Sequence, residues 1–301
     1  MGGGEGWGTV GPDNREGESM TSLGGSIFVR NAVKFDYCIR EAVESLVPLC
    51  DEVVVLDCQS EDDTMDILQE LEAKHGNVRV YDGGEWECAP NFERLALLAN
   101  QAKEFLRTKW HFMLQADEVL HEDSYPRVRE ALALAGPGNK TWMVKRFNLY
   151  PDFDHYVKEN SKRKPCNDYP LRLGRRDIPA VGDAEGLFLV GFNPKWRDLI
   201  HIFHYGYVRR RDLILDKAID MQSWFHGPNS QPDPRCVEMK KTTGFFRPEE
   251  IIPMSECKPL TMSHPKVALE WVQERRALLS SMRARADKVH IGPITAREGI
   301  S

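Results

Sequence analysis

Asp117 and Glu118 follow an apolar run, Trp110-His111-Phe112-Met113-Leu114, with only Gln115 and Ala116 between. Adjacent carboxylates at the end of such a run suit a hard cation. Mg²⁺ and Mn²⁺ take one or two protein carboxylates and complete their shells with water and phosphate oxygens. A second stretch is basic: residues 156–176 carry seven Lys and Arg against two acids. That composition serves as solvated surface or, beside a phosphate site, as a grip on diphosphate or an anionic acceptor.

The element that positions the acids is a strand, because a short apolar run bounded by polar residues fits the centre of a parallel sheet. Ligands of open α/β sheets collect beyond the carboxyl ends of such strands. Upstream, Ser26-Ile27-Phe28-Val29-Arg30-Asn31 predicts a first strand. Phe35, Ile39, Ala42, Val43 and Leu46 then recur at helical spacing until Pro48. Residues 51–57 predict a strand covered on both faces, Met65, Leu68 and Leu71 a helix, and residues 78–81 a third strand. A longer helix through Phe92, Leu95, Ala99, Ala102 and Leu106, with Asn91 as its N-cap, leads into the Trp110 strand. The fold class expected is α/β: a single doubly wound mixed sheet with helices on both faces and a C-terminal helical extension. Asn31, Asp57, Asp82 and Asp117 then share one sheet edge.

Beyond Glu118 the pattern predicts a helix near 122–135, an alternating strand over 141–147, and short strands at 171–173 and 187–190. Residues 226–265 show no clear elements, and Ser263-His264-Pro265 opens a last helix expected to pack on the core. The expected organisation is a disordered tail over 1–22, one domain over 23–207 with halves at about 23–120 and 121–207, and an extension over 208–301. The net charge of −6 gives no global attraction to nucleic acid or anionic membranes. Seven scattered cysteines without a C-x-x-C pair point to reduced thiols and a cytoplasmic setting, and no apolar run is long enough for a membrane span.

Asp57-Cys58-Gln59-Ser60-Glu61-Asp62-Asp63-Thr64 resembles the D-x-G-S-x-D-x-T segment of inverting family-2 glycosyltransferases of the GT-A fold. The helix from Asn91 and the strand from Trp110 to Glu118 resemble that family's N-x-A helix and W-x-x-x-L-D-A-D-E strand. Tyr169 to Arg176, Gly182-Asp183-Ala184-Glu185 and His201 to Tyr207 are similar to the branch that includes lipopolysaccharide-core glucosyltransferases. The resemblance covers roughly residues 26–207. It departs in three places: Gln115 replaces the first acid of Asp-Ala-Asp, Ala184 replaces the His of a His-Glu pair, and Gln59 replaces a glycine.

What the resemblance implies is transfer of a sugar from a nucleoside-diphosphate sugar, a UDP-sugar first, to an acceptor hydroxyl with inversion, assisted by Mn²⁺ or Mg²⁺. Asn31, Asp57 and Ser60 would meet base and ribose, with Asp82 and Arg94 as further contacts and Gln115 in the position that faces ribose or metal. Arg172 and Arg175 would pair diphosphate oxygens. Asp117 would hold the ion with His204 or His201 as a further ligand, although histidines among Phe203, Tyr205 and Tyr207 serve equally as core groups. Glu185, or second Asp183, would be the base. The acceptor expected is a saccharide or, second, a hydroxymethylated base of phage-type DNA. Two rivals stand beside this: a nucleotidyltransferase, whose glycine-rich basic loop Val29-Arg30-Asn31-Ala32-Val33-Lys34 does not supply, and a nucleotide-sugar binding protein weakened in catalysis, to which Gln115 points.

Overall fold

The computed structural model describes residues 21–83, 93–136, 138, 140–162, 167–191, 194–220 and 231–289, with side chains to 282. Four parallel strands form its centre: β1 (Leu23–Val29), β2 (Glu52–Asp57), β3 (Val78–Asp82) and β4 (Trp110–Met113). β5 (Glu118–Leu120), β6 (Thr141–Met143), β7 (Lys145–Asn148), β8 (His155–Val157) and β9 (Leu171–Arg175) follow. The mixed six-stranded sheet has the order β3-β2-β1-β4-β9-β6, with β9 antiparallel to both neighbours. This is the α/β architecture expected.

Helices cover both faces because side chains alternate along the strands. Ile27, Val29, Val53 and Val55 pack on the side of α1 (Ile39–Leu46) and α2 (Thr64–Lys74), with Val128 and Leu132 of a later helix in the same core. Phe28 and Leu56 turn to the other side, against Leu98 and Ala102 of α3 (Glu93–Glu104). α4 (Tyr125–Ala133) follows a 3-10 turn at Glu122–Ser124. The predicted cap Asn91 lies outside the described residues.

β1 begins at Leu23, earlier than expected, because Gly24 and Gly25 weaken its apolar pattern. Both glycines serve close packing: a Cβ on Gly24 would lie 2.5 Å from Thr108 Oγ1, and one on Gly25 2.8 Å from Leu46 Cδ1. Ser22 is also tied down, its carbonyl accepting from Trp110 N at 3.0 Å and its hydroxyl from Lys109 N at 3.0 Å.

The run through Trp110 does not continue to Glu118 as one strand. β4 ends at Met113, and the chain turns and enters β5, which belongs to a second sheet of order β5-β12-β7 once β10 (Ala180–Val181), β11 (Gly186–Leu187) and β12 (His201–His204) are counted. The stretch 141–147 divides in the same way at Val144. The C-terminal region adds α5 (Arg211–Asp220), α6 (Pro234–Thr242), α7 (Pro248–Ile251), β13 (Cys257–Pro259) and α8 (Leu269–Val289). α6 had a local signal inside the stretch read as featureless: Asp233 accepts from Arg235 N at 2.8 Å, and Pro234 takes the first helical position. Trp271 of α8 meets Tyr205 edge-on at 5.3 Å between ring centroids, burying one face of the helix against the second sheet. No helix among the described residues is long and apolar enough to cross a membrane. Five described cysteines, 38, 50, 58, 236 and 257, are buried free thiols.

Candidate active site

The parallel strands deliver their ends to one edge, with Val29 level with Asp57 and Asp57 level with Asp82. There the segment from Asp57 to Thr64 binds the loop that follows β1. Asp57 accepts from Ser60 through the amide at 2.9 Å and the hydroxyl at 2.6 Å, while Ser60 Oγ accepts from Asn31 N at 2.8 Å. Asn31 Oδ1 accepts from Glu61 N at 2.8 Å, Thr64 Oγ1 from Ala32 N at 2.7 Å, and Asp62 Oδ2 from Lys34 N at 2.6 Å. Two loops are thus sewn into one rim.

Asn31 and Gln59 adopt φ of 55° and 60°, a region that side chains enter at a cost. Gln59 therefore holds a left-handed turn of the kind that glycine adopts most easily. Asp82 is exposed at the end of β3, and Arg94 stands in the first turn of α3.

Asp117 lies in the turn between the two sheets and is almost completely buried. Burial pushes its carboxyl upward, but His204, then Lys217 and Arg209, outweigh that and hold it well below the usual carboxylate range. His204 Nε2 is 3.7 Å and Lys217 Nζ 3.8 Å from Asp117 Oδ2. The imidazole is fixed from behind: Asn148 Nδ2 donates to Asp168 Oδ1 at 3.0 Å, so Asn148 Oδ1 accepts from His204 Nδ1 at 3.1 Å. This leaves Nε2 as the nitrogen that faces Asp117, the arrangement typical of a ligating histidine.

Gly206 makes the space between them. A Cβ there would lie 2.5 Å from His204 Nε2 and 3.2 Å from Asp117 Oδ2, and its φ lies outside the left-handed region, so the demand is for room alone. An oxygen and a nitrogen 3.7 Å apart, with no side chain on the neighbouring Gly206, fit a divalent ion, whose bonds to each are about 2.0–2.2 Å long. Gly206→Ala should weaken Mn²⁺ binding by at least about tenfold, the usual scale for disturbing a ligand's support. Titration followed by electron paramagnetic resonance measures this, with the melting temperature as the check on folding.

Glu118, next in sequence, turns the other way and is fully buried. Its Oε1 accepts from Arg146 NH1 at 3.0 Å and from Arg172 NH2 at 2.7 Å, and its Oε2 from Gln115 N at 3.0 Å. Burial raises its carboxyl, yet Arg172 and Arg146 prevail and hold it below its ordinary value. The same arginines reach the loop after β10. Arg146 NH2 donates to Glu185 Oε2 at 2.8 Å, and Arg172 NH1 to the Ala184 carbonyl at 2.9 Å, which Gln115 Nε2 also approaches at 3.4 Å. Ala184 has φ of 60°, a further strained point, held by this network. Asp183, partly buried, has its carboxyl pushed upward by burial and by neighbouring Glu185.

The structure thus brings Asn31, Asp57 and Ser60 into one rim, and Gln115, Asp117, His204, Asp183 and Glu185 around the turn between the sheets. Two expected site residues are placed elsewhere, and a third has another task. His201 is three residues from His204 on β12, hence on the opposite face and roughly 10 Å along the strand. Its Nε2 bonds the Asp198 carbonyl at 3.0 Å. Arg175 pairs with Asp177 at 3.0 Å and stands level with Trp110, at the start of β4, because β9 runs antiparallel and carries it to the far edge. Arg172 is near the site but fully buried, with its terminal nitrogens given to Glu118 and Ala184, so it organises a loop where a diphosphate contact was expected.

Sequence reasoning missed Arg146, Asn148, Gly206, Arg209 and Lys217. Arg146 looks like the polar position of an alternating strand, and only the tandem Asp117-Glu118 hinted that a second buried acid needed partners.

No protein-family model matches the chain, and no curated protein does. Solved structures similar to it include S. aureus TarS 1-349 in complex with UDP, at 12% identity and TM-score 0.38, covering 93% of this chain and 94% of that one. A longer S. aureus TarS structure is spanned over 40% of its length. Mannosyltransferase PcManGT from Pyrobaculum calidifontis in complex with GDP-Man and Mn²⁺ is similar at 12% identity and TM-score 0.39, over 88% of this chain and 83% of that one. Glucosyl-3-phosphoglycerate synthase from Mycobacterium tuberculosis is similar at 19% identity and TM-score 0.36, over 55% and 63%.

Proposed function

We propose that this chain is a glycosyltransferase of the GT-A type. It moves a sugar from a nucleoside-diphosphate sugar to an acceptor hydroxyl, with inversion and with help from a divalent ion. The observation that carries the reading is the strand-end edge: Asn31, Asp57 and Ser60 are hydrogen-bonded into one rim, Asp117 and His204 face each other at 3.7 Å in the turn beyond β4, and Gln115 and Arg146 tie down the Glu185 loop beside that turn.

Each group then has a role. The rim and Asp82 meet base and ribose, and Arg94 stands near them. Asp117 and His204 hold Mn²⁺ or Mg²⁺, which when bound offsets the negative charge growing on the departing nucleotide. Arg146 fixes Glu185 Oε2, so Oε1 is the oxygen that takes the acceptor proton as the new bond to the anomeric carbon forms from the side opposite the diphosphate. Asp183 is the second candidate for that step. The acceptor class favoured is a saccharide hydroxyl.

The test is incubation with Mn²⁺ and a panel of labelled nucleotide sugars, first without acceptor, scoring donor hydrolysis. Asp117→Asn should abolish turnover; because the side chain is buried beside His204 and Lys217, the melting temperature is measured alongside to establish that the variant is folded under the assay conditions. Wild-type turnover by that variant in EDTA would overturn the ion-binding role. Failure of every donor to bind or react would overturn the donor class.

A further inference from the structure

Resting on the donor-site reading above, we infer that Lys217 is a built-in counter-cation for the diphosphate, so that nucleotide binding survives removal of the divalent ion. Lys217 comes from α5, outside every segment whose residues suggested a nucleotide site. Its Nζ lies 3.8 Å from the same Asp117 oxygen that faces His204, and 4.7 Å from the centroid of the Tyr37 ring. The half-buried ammonium has Asp117 as its carboxylate. Asp216 on the same helix is taken by Lys240, and Asp212 by Arg210 at 2.6 Å.

Tyr37 belongs to the loop after β1 and is flanked by a second cation, Arg209, whose guanidinium carbon is 4.7 Å from the ring centroid. Arg209 also donates to the Phe35 carbonyl at 2.6 Å and the Gly206 carbonyl at 3.0 Å, so its position is set. Lys217, by contrast, is a flexible point charge on a four-carbon stem, held by one carboxylate and one ring face.

Charge counting decides what this cation does. Where the resembling strand has two acids, Gln115 and Asp117 supply one negative charge, and Lys217 balances it before any ion enters. A divalent ion on Asp117 Oδ2 would stand within a few ångströms of the ammonium and repel it, and the nearest compensating partner is the incoming diphosphate. With the ion absent, Lys217 remains to receive the same oxygens, while Arg209 keeps its place on the Gly206 and Phe35 carbonyls.

The experiment is calorimetric titration of UDP into the full chain, in EDTA and in Mn²⁺, for the wild type, Lys217→Met and Lys217→Arg. The wild type should bind UDP in EDTA. Lys217→Met should bind it about 10- to 100-fold more weakly there, the range for losing one charge-assisted contact. Lys217→Arg should recover most of the loss, which a merely structural lysine would not show, and Mn²⁺ should narrow the gap between Met and wild type. Equal affinities of the wild type and Lys217→Met in EDTA overturn the inference. So does UDP binding by the wild type that requires Mn²⁺, which would leave the donor-site reading standing. Absence of UDP binding in both media overturns the two together.

Discussion

Glu185→Gln should lower turnover by ~10² to 10⁴, the usual contribution of a general base, with donor affinity little changed. The amide keeps the shape of the side chain and can still accept from Arg146 NH2 through its oxygen, so the loop should hold its place. What is lost is the capacity to take a proton. Asp183→Asn is the comparison that gives the result meaning, because Asp183 Oδ1 accepts from Glu185 N at 3.3 Å and its carboxyl is pushed upward by burial and by Glu185. A raised carboxyl is a stronger proton acceptor when ionised, so Asp183 is a real competitor. Turnover with saturating donor, together with donor affinity by titration, separates the cases. Near-normal turnover in Glu185→Gln with collapse in Asp183→Asn would move the base to Asp183, and normal turnover in both would remove the proposed step.

Glu118→Ala should destabilise the fold by about 3–5 kcal/mol, the cost of removing one partner from a buried ion network. Two fully buried guanidinium groups, Arg146 and Arg172, would lose their shared carboxylate. Arg172 is the more exposed to this loss in energetic terms, since its Nε already has no hydrogen-bond partner. Urea unfolding at neutral pH measures the change, and a loss under 1 kcal/mol would mean the network is not the support argued here. The wild type carries a related signature. Its Glu118 carboxyl is held below the ordinary 4.5, so the stability it contributes is complete above that pH and is lost as pH falls through the lower folded value. Acid titration of the urea midpoint should therefore show a steeper decline below about pH 4.5 in the wild type than in a destabilised but folded Glu118→Gln variant, in which the other lowered carboxylates still titrate.

Much of the N-terminal half was legible in the residues because its information is local. The unbroken Val53-Val54-Val55-Leu56 run suits a strand covered on both faces, and helical spacing from Ile39 to Leu46 buries one stripe, so the β-α-β order and the shared edge of Asn31, Asp57, Asp82 and Asp117 follow from chain order. The spacing of Asp57, Ser60, Asp62 and Thr64 likewise suffices for the rim, whose bonds reach only the neighbouring loop.

The rest depended on tertiary structure, because a charge pair or a strand direction leaves no period in the sequence. Val119 and Leu120 are as apolar as Phe112, and only their pairing with β12 shows that the chain changes sheets at Asp117. The reversed direction of β9 moved Arg175 to the wrong edge, and the parity of a strand separated His201 from His204. Glu118 finds Arg146 and Arg172 at separations of 28 and 54 residues, and Lys217 meets Asp117 from a helix beyond the second sheet. Burial decides which charges pair, and burial belongs to the packed molecule: in a low-dielectric interior each acid must find a partner through space, wherever along the chain that partner lies.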